Sequence, residues 1–211
     1  MAHVVRPNDR WLYRAMIEAM YRQRYDVAVE QWGWKIPNVQ KGYDKDDFDT
    51  DDTIYLLEIC PETKQLIGSV RLNPTTKPHM MSEVFPDLCD IKGVPTGPDI
   101  WEGSRFILDH TVVPKEEFNH ARIRLSAAMT SFCIQEGITA MSWMTHEHLY
   151  NMALKRWNTE PLGLPKYFET DQSTYIAALS EMSPLALEGL KSSLPQGDTV
   201  MIGLAGLDLA A

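Results

Sequence analysis

Apolar residues step by four near the start of the chain, at Leu12, Met16 and Met20, and the same step then lands on Arg24 and Ala28. That spacing marks one face of a helix, which Asn8 is placed to cap. From Ile36 to Asp52 the period fails: Pro37, Gly42 and the acidic run DKDDFDTDD predict a loop. Thr53 to Cys60 (TIYLLEIC) and Gln65 to Leu72 (QLIGSVRL) are strand-like, and PETK between them completes a hairpin. A proline-bearing loop follows from Asn73 to Asp99, with a short turn of helix around SEVF. Ile100 to Leu108 (IWEGSRFIL) is a third strand, and Ala121 to Gln135 is a helix with Ile123, Met129 and Ile134 among its apolar positions. A strand over Ile138–Met144, a helix over His146–Trp157 and a strand over Ser173–Leu179 complete the series. The apolar end, Val200 to Ala211, is expected to be a buried strand or packed tail. This order predicts an α/β or α+β chain with one layer of sheet and helices on its faces. There is no repeat or linker, so residues 1–211 are expected to form a single domain.

Composition narrows the picture. The chain has 211 residues, 44% hydrophobic and 23% charged, enough to bury a core without disulfides or a structural metal. Twenty Lys and Arg against 29 Asp and Glu give a net charge of −9, which disfavours a nucleic-acid partner. Cys60, Cys89 and Cys133 form no CxxC pair and have no histidine at zinc-ligand spacing, so a reducing cytoplasm is the expected compartment. No run approaches the ~18 apolar residues of a membrane span, and no signal-peptide pattern is present.

Several residues carry candidate chemistry. Arg24 lies on the apolar face of the first helix, where a permanent charge needs acceptors. Asp46, Asp47 and Asp49 can supply them. Arg71 and Arg105 belong to strands, so three arginines and several carboxylates can converge at one sheet edge, either as a structural ion-pair network or as a site. Glu102 and Arg105 are three apart, which strict alternation sends to opposite faces. A bulge at Gly103 would bring them together and hold a carboxylate in place as a general base; a salt bridge at the sheet rim is the alternative. Asp47, Asp49, Asp51 and Glu58 match positions of a calcium loop, but Asp52 stands where that loop needs glycine. His146 and His148 alternate like strand ligands without a third partner. Trp32 and Trp34 flank Gly33, suited to covering a flat or cationic ligand or to a hydrophobic staple.

Taken in order, Arg24, Gly33-Trp34, Asp46-x-x-Asp49, Arg71, FPDL at Phe85–Leu88 and Trp101-Glu102-x-Ser104-Arg105-Phe106 resemble the signature of LuxI-type acyl-homoserine-lactone synthases. The resemblance implies a fold like the GNAT acyltransferases, a single mixed sheet whose bulged, splayed central strand makes an acyl cleft. It also implies a reaction. The α-amine of S-adenosylmethionine attacks an acyl thioester, and the methionyl carboxylate then closes on its own γ-carbon, expelling methylthioadenosine and leaving a homoserine lactone. S-adenosylmethionine is then a co-substrate, with no permanently bound cofactor or metal, and the donor is acyl-carrier protein or acyl-CoA.

On this resemblance Glu102 and Arg105 are catalytic, and Arg24, Trp34, Asp46, Asp49 and Arg71 serve S-adenosylmethionine and its ion-pair cluster. Ser104, Phe106, Trp143 and Met144 would line the acyl cleft, with backbone N–H groups freed at the bulge facing the thioester oxyanion. Lys155, Arg156 and Lys166 form an expected basic edge for the donor's anionic carrier. The family pattern leans to carrier protein, while the PTTKP and PLGLP runs resemble the branch that includes CoA-thioester users. Ala28 stands where the family usually has an aromatic residue, and the RxxGxG/A pyrophosphate turn of ordinary GNAT enzymes is absent between Phe106 and Ala121. Two other functions stay open: a GNAT-type N-acyltransferase that stops at the amide, and a calcium-binding module at Asp47–Glu58.

Overall fold

The hairpin predicted over residues 53–72 becomes the centre of a sheet, because both of its strands are buried on both faces. In the computed structural model, which describes residues 1–36, 39–170 and 172–202, β2 is Ile54–Ile59 and β3 is Leu66–Pro74, antiparallel as expected. Tyr55, Leu57 and Ile59 pack with Tyr13, Met20 and Tyr21. Ile54 and Leu56, pointing the other way, pack with Leu125, Ala128 and Phe132. Two helices therefore cover the two faces, α1 (Arg14–Arg24) on one and α3 (Lys115–Gln135) on the other.

Among the described residues the sheet has nine strands. Besides β2 and β3 they are β1 (Ala2–Val5), β4 (Ile100–Leu108), β5 (Ala140–His146), β6 (Thr159–Pro161), β7 (Lys166–Phe168), β8 (Ser173–Glu181) and β9 (Met201–Ile202), in the order β6-β8-β5-β4-β3-β2-β1-β9, with β7 also on β8. Among the described strands only β4–β5 and β1–β9 are parallel, so the sheet is mixed. Short α2 (Met80–Glu83), α4 (Glu147–Leu154) and α5 (Pro184–Lys191) are the remaining described α-helices. No described helix is long and apolar enough to cross a membrane.

Two features of β4 position the site. First, β4 and β5 pair only from Ile100–Ala140 to Glu102–Ser142; β4 then runs on to Leu108 and β5 to His146 without pairing each other. The strands part immediately after Glu102. Second, β3 and β4 slip register, Ser69 facing Ile107 while Arg71 faces Ser104. The extra residue lies on β4, where Arg105 takes φ +51°. The bulge expected at Gly103 is therefore two residues further on. Gly103 keeps regular pairing with Leu72 and serves a different need: a Cβ there would lie 2.8 Å from Met141 Sδ on β5.

Other expectations shift for local reasons. Asn8 caps nothing; Pro7 starts a 3-10 turn, and α1 begins only at Arg14. The helix then widens into a π-helical segment, Tyr25–Gln31, and the predicted face survives in the burial of Met20, Arg24 and Ala28. Helix α3 starts six residues before Ala121, its first turns being polar and outside the apolar stripe, and Leu125, Ala128 and Phe132 are more deeply buried than Ile123 and Ile134. The strand expected at Ile138–Met144 runs from Ala140 to His146, and the helix expected to reach Trp157 ends at Leu154. Pro37, placed in the acidic loop, lies outside the described residues, as does the expected C-terminal tail beyond Ile202.

Candidate active site

The acidic run folds into a turn that points three of its carboxylates inward. Asp44 N–H donates to the Tyr21 carbonyl at 2.9 Å, tying the loop to α1. Asp46 N–H donates to Asp49 Oδ2 at 3.0 Å, and Phe48 N–H to Asp46 Oδ1 at 2.9 Å. Thr53 Oγ1 donates to the Phe48 carbonyl, and Asn73 Nδ2 does the same from β3. Asp44 and the Asp49 side chain are thus buried, whereas Asp47 is exposed and the Asp51 side chain is fully in solvent.

The three predicted arginines meet these carboxylates. Arg24, wholly buried, donates from Nη1 to Asp49 Oδ1 at 2.9 Å and lies 5.4 Å from the ring centroids of both Tyr21 and Tyr55. Arg71, also wholly buried, donates from Nε to Ser104 Oγ at 2.9 Å and from Nη1 to Asp46, with Asp49 Oδ2 at 3.1 Å. Arg105, turned by its positive φ, donates from Nε to Asp44 Oδ2 at 2.8 Å and from Nη2 to Asp46 Oδ2 at 3.0 Å. Burial alone would raise the pKa of Asp49, but the charges of Arg24 and Arg71 outweigh it and hold the group well below the usual carboxylate range. Burial likewise acts against the charge on Arg71, yet Asp49 and Asp46 raise its proton affinity above the ordinary guanidinium value.

Glu102 is fully buried at the last β4–β5 pair. Its two oxygens accept the N–H groups of Met80, at 3.1 Å, and Met81, at 2.6 Å, at the start of α2. Burial pushes its pKa up, against those N–H groups and the nearby His79 and Arg71. Arg105 Nη1 meets Met80 Sδ at 3.8 Å, so α2, Glu102 and Arg105 form one corner. The bulge thereby achieves at Arg105 what the sequence reading assigned to Gly103: Glu102, Ser104 and Arg105 share the face covered by α2 and the acidic loop.

The remaining predicted residues divide. Ser104 joins the cluster through Arg71. Trp34 packs 5.3 Å from Trp32 and donates from Nε1 to His146 Nε2 at 3.4 Å, linking the segment after α1 to the end of β5. Met144 packs with Met81 and Leu88 on the α2 side. Phe106 packs against the α3-side core, and Trp143 donates from Nε1 to Ser180 Oγ at 2.8 Å. The four cleft residues thus belong to both faces of the parting strands. The basic trio does not assemble. Lys166 is paired with Asp90 at 3.0 Å, and Arg156 donates to Ser126 of α3, where burial lowers its pKa to about 10; only Lys155 is exposed.

The calcium reading loses its ligands. Asp49 is committed to arginines, and Glu58 sits in β2 with Arg124 Nε at 2.8 Å and the Met1 ammonium at 2.9 Å. No group of three metal-ligating side chains exists among the described residues. The residues that sequence reading missed are Asp44, two positions before Asp46 in the same run, and His79, immediately before α2, whose backbone N–H donates to Ser82 Oγ at 3.1 Å.

A family model described as autoinducer synthase matches residues 8–182. The isovaleryl-homoserine lactone synthase of Bradyrhizobium diazoefficiens is 36% identical over 175 residues, which are 80% of this chain and 75% of that protein. The structure of BjaI, a CoA-dependent acyl-homoserine lactone synthase with SAM and isopentyl-CoA, superposes with a TM-score of 0.82 at 31% identity, covering 96% of this chain and 92% of that one. A putative N-acetyltransferase from Lactobacillus plantarum, at 13% identity and a TM-score of 0.55 over 86% of this chain and 99% of its own, shares the fold alone.

Proposed function

The chain belongs to the autoinducer synthase family, and on that premise we propose how its site carries the reaction and which donor it uses. It is an acyltransferase that makes an N-acyl-L-homoserine lactone, a quorum-sensing signal, from S-adenosylmethionine and an acyl thioester, releasing methylthioadenosine. The observation that carries the site assignment is the parting of β4 from β5 at Glu102, directly beside the arginine–carboxylate cluster.

In our reading the acyl chain enters between the diverging strands, past Ser104, Phe106, Trp143 and Met144. The thioester carbonyl then lies near the bulge, where Arg105 and Phe106 fall outside the β3–β4 register and a backbone N–H would suit a developing oxyanion. Three arginines face Asp44, Asp46, Asp49 and Glu102; with Glu102 ionised that is three positive and four negative charges, leaving one negative charge for a co-substrate of net charge +1. Arg71 Nη2 is a buried donor without a partner, placed for the methionyl carboxylate. Glu102 attracts the α-ammonium, and Trp34 walls the adenosyl side. Arg105, held by two carboxylates, fixes the shape of the bulge.

We assign the donor as acyl-CoA. The family pattern leaned to acyl-carrier protein, but Lys166 and Arg156, two of the three residues expected to form a basic edge, are engaged elsewhere, and a protein partner would need several free charges acting together. The CoA-dependent relative supports the same choice, and the isovaleryl relative supports a short branched acyl group. Three unpaired, buried cysteines suit a cytoplasmic enzyme of one catalytic domain.

The test presents isovaleryl-CoA and the same acyl group on carrier protein to purified protein with S-adenosylmethionine, and measures products by mass spectrometry. Lactone and methylthioadenosine in equal amounts, with kcat/KM favouring CoA at low and moderate salt, are expected. An acyl amide without methylthioadenosine would instead identify an N-acyltransferase that does not lactonise. A carrier-protein preference that weakens with salt would refute the donor assignment.

A further inference from the structure

Acylation requires that the substrate ammonium lose a proton before nitrogen can attack, and the corner around Glu102 contains one acceptor with nothing bound to it. Both Glu102 oxygens already accept backbone N–H groups, a use that anchors α2 to β4. Cys89 is no alternative, because burial pushes its pKa up to about 11 and keeps it a thiol. His79, immediately before the two amides that grip Glu102, is 1% exposed. Its Nδ1 lies 2.9 Å from the Lys77 carbonyl, and in the tautomer that donates to that carbonyl Nε2 carries a lone pair. That Nε2 is buried and has no hydrogen-bond partner. A buried acceptor left empty is costly, which calls for a donor to fill it.

Resting on the lactone-synthase reading, we propose that His79 Nε2 is the acceptor of the proton shed by the α-ammonium of S-adenosylmethionine. The Lys77 carbonyl fixes the tautomer and orients the ring, as the aspartate does for the histidine of a hydrolase triad. The carboxylate of Glu102 stabilises the imidazolium. The free amine then forms the N–C bond to the thioester carbonyl, and the C–S bond breaks. The second nitrogen proton leaves with the thiolate as thiol, and His79 returns its proton to solvent, so that one proton is released per amide formed.

Lactone production by the parent enzyme tests the overall reading; His79 variants, compared with that parent in single-turnover acylation and in S-adenosylmethionine calorimetry, test this assignment alone. His79→Gln keeps an acceptor of similar reach but cannot hold a proton. It should slow acylation by ~10²–10⁴-fold, the usual worth of general-base catalysis, while substrate affinity changes less than about fivefold. His79→Ala should be slowed similarly and be partly restored by added imidazole, which supplies a base without repairing a helix cap. Acylation by folded His79→Gln within about threefold of the parent, or a loss wholly explained by weaker substrate binding, would overturn the assignment.

Discussion

Asp49→Asn is the sharpest probe of the ion-pair cluster. Oδ1 of Asp49 accepts from Arg24 Nη1 and Tyr55 OH, both at 2.9 Å, and Oδ2 from Asp46 N–H at 3.0 Å, with Arg71 Nη1 at 3.1 Å. Asparagine offers one acceptor oxygen and turns an NH₂ group toward a guanidinium, so two buried donors lose their partner at once. Removing one member of a buried ion pair costs roughly 3–5 kcal/mol. Asp46 remains on Arg71, which places this case near ~3 kcal/mol. At about 2–4 °C per kcal/mol for a domain of this size, the melting temperature should fall by roughly 6–12 °C near neutral pH. Linkage fixes how the deficit varies with pH. Asp49 is depressed on folding, so its contribution is fully present above the unfolded carboxylate value of ~3.9 and is lost as pH falls toward its folded pKa. The gap between parent and variant in calorimetric melts should therefore hold steady near neutrality and narrow on acidification below about pH 4. A gap under about 2 °C, or one that does not narrow in acid, would refute the view that this charge holds the cluster together.

Two further variants separate structural from substrate roles. Arg71→Lys cannot reproduce the Nε contact to Ser104 together with the contacts to Asp46 and Asp49. Losing one charge-assisted bond, ~1.5–3 kcal/mol, should weaken S-adenosylmethionine binding by calorimetry at least about tenfold in folded protein. Full activity in the surviving folded fraction, with only a lower melting temperature, would mark the arginine as structural. Gly103→Val places Cβ 2.8 Å from Met141 Sδ, so overpacking of ~1–3 kcal/mol should lower the melting temperature and reduce acyl transfer. An unchanged melt would falsify the close approach of β4 and β5 at the point where they part.

Much of this protein is written locally. Strand-like runs specified β2, β3 and β4, and IWEGSRFIL matched its strand from Ile100 to Leu108, its polar residues being held by partners across the site. The step of four ending at Arg24 and Ala28 told which side of the first helix faces inward, and with it that a buried arginine would need carboxylates. The ordered motif was enough to indicate the family. Which carboxylate meets which arginine was a different matter. Asp44 rather than Asp47 turned inward because its N–H is held by Tyr21 of α1, a contact between segments no local pattern relates. The bulge fell at Arg105 because β3 and β4 slip register there, while Gly103 answered the demand of Met141 on another strand. β1, β6, β7 and β9 are too short to show a period and exist as strands only through their neighbours. Lys155, Arg156 and Lys166 suggested an edge in sequence, and folding sent two of them to separate partners. Periodicity fixes the face a side chain takes within its own element; register and long-range packing fix what it meets there, and only the tertiary structure contains those.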